Sequence, residues 1–243
     1  MLHKTRGVVL HTIKYTDSSV ISHIYTENFG RKSFIITGAR GRKSPARVNL
    51  LQHLSILDME VYIKQTRDLQ RIKEIRIHEP FSSIPYHPVK NAVALFVSEI
   101  LYKTLQEEEP NPNLFSYLLN AIMIFDLSGK GYANFHLLFL LGLTRYLGFF
   151  PRNNYNLSNE FFDIENARFT VTRPLHPHFI SPDASRHLPG LMECSFENMD
   201  KIRLNSAMRN NLLKGILDYY RFHIPVMGNI KSFSVLKEVF ESG

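Results

Sequence analysis

The chain has 243 residues but only one cysteine, Cys194, and no tryptophan. A single cysteine excludes an intrachain disulfide and a zinc site made of cysteine ligands. The sequence also lacks the nucleophile elbow, the phosphate-binding glycine loops and the paired metal-binding histidines of common enzyme classes. These absences predict a protein that is not an enzyme and that uses no cofactor.

Long hydrophobic runs are missing as well. The longest, from Phe135 to Phe150, is interrupted by Thr144 and Arg145, whereas a membrane-spanning helix needs about 20 predominantly apolar residues. The opening residues, MLHKTRGVVLH, contain neither the apolar core nor the cleavage site of a signal peptide. The sequence therefore predicts a cytoplasmic protein that does not bind a membrane.

Negative charge is absent from one stretch, because no Asp or Glu occurs between Asn28 and Leu57. Residues 1–80 carry 14 Lys and Arg against 7 Asp and Glu, whereas residues 81–243 carry 15 of each, so the net charge of +7 belongs to the first third. Such asymmetry indicates an anionic partner for this third. The cations within the stretch are Arg31, Lys32, Arg40, Arg42, Lys43 and Arg47.

The first eighty residues predict a small β-barrel. Runs of β-branched and aromatic residues at 8–15, 20–26, 32–37, 56–63 and 69–77 are typical of strands. A change in the alternation within the last run predicts a bulge. Short strands packed this closely in sequence favour a closed or nearly closed barrel.

The period of the apolar residues becomes helical after a proline-rich junction at 79–88. We expect Asn111 to be the N-cap of the second helix and Ser206 that of the fourth. The expected helices span about 89–105, 112–129, 134–147, 206–224 and 233–240.

Two domains follow from this change of pattern. We expect a barrel domain at 1–80 and a helical domain at 81–243, with an irregular insertion around 150–200 that includes a hairpin at 168–172. The predicted fold class is α+β, a five-stranded barrel followed by a mainly α-helical domain.

The cationic stretch favours a nucleic acid over a membrane surface, because it does not lie on an amphipathic helix. Cations there, together with Lys14, would contact phosphates, while exposed rings would stack on bases. Tyr15 and Phe29 adjoin turns and are the stacking candidates, whereas Phe34 is expected in the core. If about six phosphates are neutralised, the log–log salt slope on single strands should be near −4. The alternative is a merely solvated basic loop.

Histidines near the insertion are candidate metal ligands of the right chemical type. His176, His178 and His187 precede Cys194, but their spacing matches no standard structural zinc pattern. We predict no metal site and leave binding through these side chains open.

The segment KTRGVVLHTIKYTDSSVISHIYTENFGRKSFIITGARGRKS (4–44) resembles the start of the RecO family of bacterial DNA repair and recombination mediators. The shared elements are a Tyr-x-Asp-x-Ser motif at 15–19, a Thr-x-x-x-Gly turn at 26–30 and the Gly-Ala-Arg-x-x-Lys-Ser segment at 38–44. LFVSEILYKTLQEEEPNPNLFSYL, NFHLLFLLGLTRYLGFFP and RNNLLKGILDYYRFHI are similar to that family's helical region. The likeness is weakest at 150–200.

The resemblance implies an OB-fold followed by a helical domain. It also implies binding of single- and double-stranded DNA at the nucleoid, annealing of complementary strands, and partnership with RecR. Contact with the C-terminal tail of single-strand-binding protein would let RecA recombinase replace that protein on DNA. Many relatives carry a four-cysteine zinc module after the Gly-[Phe/Tyr]-x-Pro segment, but LGFFPRNNYNLSNEFF has no cysteine there, so zinc is not carried over.

A second hypothesis is a protein-interaction adaptor. Its helical domain would bind the partner, while the basic barrel would attract an acidic peptide or RNA. Arg145 and Tyr146, beside apolar residues, are candidates for receiving an acidic and hydrophobic tail, and the alternative for both is packing in the core. Salt separates the two hypotheses, since binding to DNA weakens steeply with ionic strength and an apolar groove responds little.

Overall fold

The computed structural model describes residues 1–37, 49–64 and 66–241. Of Glu241 it describes the main chain only. Five strands form a closed barrel in the order β1-β2-β3-β5-β4, as the sequence predicts. They are β1 Leu2–Lys14, β2 Ser19–Thr26, β3 Gly30–Thr37, β4 Ile56–Tyr62 and β5 Leu69–Ile77.

β1 is longer than the sequence predicts, because it begins at Leu2 rather than at residue 8. Its first half pairs with β4 and its second half with β2. The register shifts between Val9 and His11, and such a bulge bends a strand. Pattern analysis does not detect the first half of β1, because its residues from Lys4 to Arg6 are polar. They pair with β4, which is also polar on its outer side.

The barrel interior is filled by alternate residues of every strand. Phe34 is fully buried, as expected, and lies in the core cluster that includes Ile24, Met59 and Val61. The expected bulge in β5 is present as a register shift opposite Glu60 and Val61. It places both Ile72 and Ile75 against this core.

Seven α-helices lie in the described residues after the barrel. We label them α1 Pro88–Thr104, α2 Pro112–Leu127, α3 Phe135–Leu147, α4 Pro182–Ser185, α5 Leu188–Glu193, α6 Ser206–His223 and α7 Ser232–Glu241. None of the helices within these residues is long and apolar enough to cross a membrane.

Helix ends follow local capping chemistry. The side-chain oxygen of Asn111 accepts a hydrogen bond from the Leu114 N–H at 3.0 Å, as expected for an N-cap. The prediction for α6 was wrong by one residue, because Asn205 is its N-cap and accepts from the Met208 N–H at 2.8 Å. Gly148 ends α3 in the left-handed region, at φ 85°.

The chain forms two compact units, Met1–Asp126 and Leu127–Gly243. The first unit combines the barrel with α1 and α2, so the domain boundary at residue 80 stays a prediction. In the second unit α3 is buried on nearly all sides, and its Leu140 carbonyl accepts a hydrogen bond from the buried Tyr220 hydroxyl at 2.6 Å.

The irregular insertion contains a small sheet of order β7-β6-β8. Its strands are β6 Phe161–Asp163, β7 Arg168–Thr170 and β8 Phe179–Ile180. The expected hairpin at 168–172 is wrong in its pairing, because β7 pairs with β6 through a turn at 164–167. The Asp163 carboxylate accepts N–H groups of Glu165 and Asn166 at 3.0 and 3.1 Å and so forms that turn.

Candidate nucleic-acid interface

Four of the predicted phosphate contacts, Arg40, Arg42, Lys43 and Arg47, lie outside the described residues, so their role stays a prediction. The strand that leads into their segment is β3, which ends at Thr37. Thr37 pairs with Ser19 at the start of β2. The neighbouring Val20 pairs with Lys14 at the end of β1. The end of β3 and the end of β1 therefore lie at the same edge of the barrel.

Lys14 and Tyr15 are at this edge and are accessible. The Tyr15 side chain is 55% exposed. The Lys14 ammonium lies 3.0 Å from the Asp17 carboxylate, in an ion pair whose partners are both largely exposed. An exposed pair of this kind contributes little to stability, so a phosphate group can replace Asp17. These two predicted residues are thus brought together in a position that suits their predicted roles.

Arg31 points away from this edge toward the end of α1. Its Nη1 donates hydrogen bonds to the carbonyls of Tyr102 and Leu105 at 2.8 and 3.1 Å. Its guanidinium also lies 4.5 Å from the centre of the Tyr102 ring. The last carbonyls of a helix have no intrahelical partner and carry partial negative charge. This geometry favours a structural role for Arg31, as a cationic cap of α1.

Lys32 forms an ion pair with Glu108. The lysine side chain is only 16% exposed, whereas that of Glu108 is 71% exposed. A predicted phosphate contact is therefore already neutralised by a carboxylate of the same chain.

Few of the aromatic rings of the barrel are free to stack on bases. Phe29 packs edge-to-face on His3, with ring centres 5.1 Å apart, and against the barrel core. Tyr25 is buried, and burial together with Glu107 raises its pKa to about 12. Tyr15 and Tyr62 are exposed, so the stacking role of Tyr15 stays a prediction, whereas Phe29 is better explained by packing.

A concavity of about 170 Å³ opens between β3 and β5. The two strands pair in parallel only from Ser33 to Ile35, where Ile35 faces Arg71. The concavity is lined by Ile35, Ile36, Thr37, Arg71, Ile72, Lys73 and Ile75. It therefore combines an apolar floor with two cations beside the end of β3, of which Lys73 already pairs with Glu60 at 2.8 Å.

Arg71, which lines this concavity, was not among the predicted site residues. Its signal is the alternation of β5, in which Gln70 is buried, Arg71 is exposed and Ile72 packs on the core. Gln70 fixes the preceding turn, since its amide accepts from the Lys64 N–H and donates to the Lys64 carbonyl, both at 2.9 Å. This anchored turn sets the position at which β5 begins.

Another face of the barrel carries balanced charge. A groove of about 470 Å³ is lined by residues that include Lys4, Arg6, Glu27, Asp58 and Glu60. The Arg6 guanidinium makes two hydrogen bonds with the Glu27 carboxylate, at 2.7 and 2.9 Å. These bonds raise the pKa of Arg6 and lower that of Glu27. Because its cations are paired, this groove does not favour a polyanion.

A histidine layer lies between the outer face of β1 and β2 and the helix α1. The rings of His11 and His23 are 4.7 and 5.0 Å from that of Tyr102. Burial, with smaller contributions from Arg31 and His11, lowers the pKa of His23 to about 4. Burial also lowers the pKa of His11, against the opposing effect of Glu99. His23 is thus neutral near pH 7 and adds no positive charge to this face.

The predicted partner-binding residues lie at the end of α3. The Arg145 guanidinium sits 3.8 Å from the centre of the Phe150 ring. Arg145 is exposed and Tyr146 is half-buried. This arrangement offers a cation stacked on a ring, and partner binding there stays a prediction.

Of the histidines considered as metal ligands, His176 and His178 are neighbours, with ring centres 6.1 Å apart. Within the described ranges, no group of three His, Cys, Asp or Glu side chains could hold a metal ion. His176 instead lies 3.4 and 3.5 Å from the carboxylates of Asp163 and Glu165. Burial raises the pKa of the Cys194 thiol, which disfavours the thiolate that binds metals.

The barrel followed by helices defines a class of α+β proteins with an OB-like N-terminal part. Two family models divide the chain in the same way. Residues 1–81 match "Recombination protein O N terminal" and residues 86–232 match "Recombination protein O C terminal". The DNA repair protein RecO of Bacteroides fragilis is 42% identical over 242 residues, covering 99% of this chain and 100% of that protein.

Two further relatives agree over the same length. The DNA repair protein RecO of Phocaeicola vulgatus is 40% identical over 240 residues, and that of Flavobacterium psychrophilum is 35% identical over 239 residues. These alignments cover 99% and 98% of this chain and 100% and 98% of the two relatives. The chain belongs to the RecO family.

Proposed function

We propose that this protein is a recombination mediator in DNA repair, which binds single- and double-stranded DNA and anneals complementary strands. The observation that carries the proposal is the concentration of the net charge of +7 in residues 1–80. Family membership and the names of the relatives support the same assignment. In the cell the protein would act at the nucleoid in the cytoplasm.

Annealing needs no covalent step. Two strands repel each other through their phosphates, and a basic surface that neutralises these phosphates lowers the repulsion. Contacts to the backbone leave the base edges free to pair. The proposed phosphate contacts are Lys14, Arg40, Arg42, Lys43, Arg47 and Arg71. Tyr15 would stack on one base, and the apolar floor between β3 and β5 would receive another.

The mediator role requires partners beyond DNA. We propose that the protein acts with RecR and contacts the C-terminal tail of single-strand-binding protein, so that RecA can be loaded. Arg145 and Tyr146 are the proposed contacts for this tail, since an exposed guanidinium stacked on Phe150 can pair with a carboxylate.

Substituting Arg145 with Gln should weaken binding of the tail peptide and leave DNA affinity unchanged.

The central experiment reverses charge in the basic segment. Arg40, Arg42, Lys43 and Arg47 are replaced together by Glu, and binding and annealing of fluorescent oligonucleotides are measured. The matched control reverses four exposed cations of the second unit, namely Arg168, Arg186, Lys201 and Lys214. Both variants carry the same net charge, so only the first should lose binding and annealing. Equal losses in both, or binding unchanged in the first, would reject the proposal.

A further inference from the structure

An acidic segment of the same chain lies against β3 of the barrel. It consists of Glu107, Glu108 and Glu109 and follows α1 after a short break. The carbonyl of Glu107 accepts a hydrogen bond from the Arg31 main-chain N–H at 3.0 Å. The carboxylate of Glu108 forms the ion pair with Lys32. We call residues 107–109 the acidic strap.

The approach of the strap to the barrel is a contact of main chain on main chain. Gly30, at φ 60°, has the Glu107 oxygen, the Glu108 carbonyl carbon and the Glu109 oxygen within 2.5–2.9 Å of the point where a side chain would begin. Any other residue at this position would push the strap away. Both the left-handed conformation and the absence of a Cβ are therefore needed for the strap to lie here.

The Glu108 carboxylate lies on the solvent side of Lys32. Its side chain is 71% exposed, whereas that of Lys32 is 16% exposed. A phosphate that approaches β3 from solvent therefore meets the carboxylate before it meets the ammonium. Glu108 holds the position that a backbone phosphate would take, with the same sign of charge and the same kind of acceptor oxygen.

We propose that the acidic strap is a built-in competitor of DNA phosphate for Lys32, and that Glu108 sets how tightly the barrel binds a strand. The inference rests on the proposed function. The Glu108 side of this pair is 71% exposed and is screened by salt, so a DNA strand held by the neighbouring cations displaces Glu108 without unfolding the barrel. This competition keeps affinity low enough for strands to be released during annealing.

The test compares two neutralising substitutions, Glu108→Gln and Glu109→Gln, in the full chain. They change the net charge equally, but the contact with Lys32 belongs to Glu108. One additional phosphate contact should steepen the log–log salt slope on single-stranded DNA by about 0.7, which is about fivefold in affinity at 0.1 M salt. We expect Glu108→Gln to show this gain and Glu109→Gln to show a much smaller one.

A double-mutant cycle with Lys32→Gln separates competition from an effect on folding. Lys32→Gln alone should change DNA affinity little, because Lys32 is already paired, but it should abolish the gain of Glu108→Gln. Equal affinities of the Glu108 and Glu109 variants, with the wild type binding DNA, would overturn the competitor role alone. Failure of the wild type to bind DNA at low salt would overturn the proposed function and this inference together.

Discussion

At the scale of the residue, the type of a side chain is a weaker guide to its role than the groups around it. Arg31 and Lys32 adjoin the basic segment in sequence, yet carbonyls at the end of α1 accept from Arg31, and Glu108 pairs with Lys32. Both partners are more than 70 positions away along the chain. Local sequence pattern cannot reveal partners at such separations. The sequence therefore predicts the charge of Arg31 and Lys32 correctly, but not that groups of the same chain already bind both side chains.

Asp126 illustrates a single residue on which a junction depends. Its carboxylate accepts main-chain N–H groups of Ser82, Ser83 and Ile84, at 2.6, 2.9 and 2.8 Å. Burial acts to raise the pKa of Asp126, but these hydrogen bonds outweigh it and lower the pKa below its ordinary value of 3.8. The proline-rich junction is thus fixed by a carboxylate on α2.

Replacing Asp126 with Asn should therefore destabilise the protein by about 1–3 kcal/mol at pH 7. Because its folded pKa is lowered, the carboxylate contributes stability that is complete above about pH 5 and is lost as the pH falls through the folded value. The free energy of unfolding, measured by urea titration from pH 7 to pH 3, should depend less on pH in the variant than in the wild type.

The control for this substitution is Asp218→Asn. Asp218 pairs with Arg221 on an exposed helix face, and loss of such a pair should cost less than about 0.5 kcal/mol. The free energy of unfolding of the wild type should approach that of the Asp126 variant as the pH falls. A difference between the two that stays constant down to pH 3 would contradict the assigned role of the carboxylate.

At the scale of the element, hydrophobic pattern is reliable where one face of a strand or helix is buried. The five strands and the long helices α1, α2, α3 and α6 were predicted from such patterns. The first half of β1 and the pairing of β7 were not, because their positions are set by polar contacts. In the insertion, the Asn154 amide donates to the Phe169 carbonyl at 3.0 Å and accepts from the Phe169 N–H at 2.9 Å.

Asn154 therefore binds β7 as a neighbouring strand would. We expect Asn154→Ala to lower the free energy of unfolding by about 1–3 kcal/mol, because both main-chain groups of Phe169 lose a partner. Asn153→Ala is the matched control, since its amide donates to the exposed Glu193 side chain at 2.7 Å. A chelator such as EDTA should leave the thermal midpoint of the wild type unchanged. A lower midpoint in EDTA would instead indicate that a metal orders the insertion.

At the scale of the whole molecule, the distribution of charge carries the functional argument, and it was visible in the sequence. The location of the charge in residues 1–80 needs no structure. What sequence alone did not provide is the number of cations left for a ligand. Three-dimensional packing brings the acidic strap, from beyond residue 80, onto β3 of the barrel.

This correction changes the expected response to salt. With Arg31 and Lys32 engaged beside the six proposed contacts, the log–log slope on single-stranded DNA should be about −5.6, but with both withheld it should be about −4. We predict the second value for the wild type, from fluorescence anisotropy of a labelled oligonucleotide between about 50 and 200 mM salt. A slope of about −5 or steeper would mean that Lys32 binds phosphate despite Glu108. A slope near zero would mean that the excess charge of the barrel serves something other than a nucleic acid.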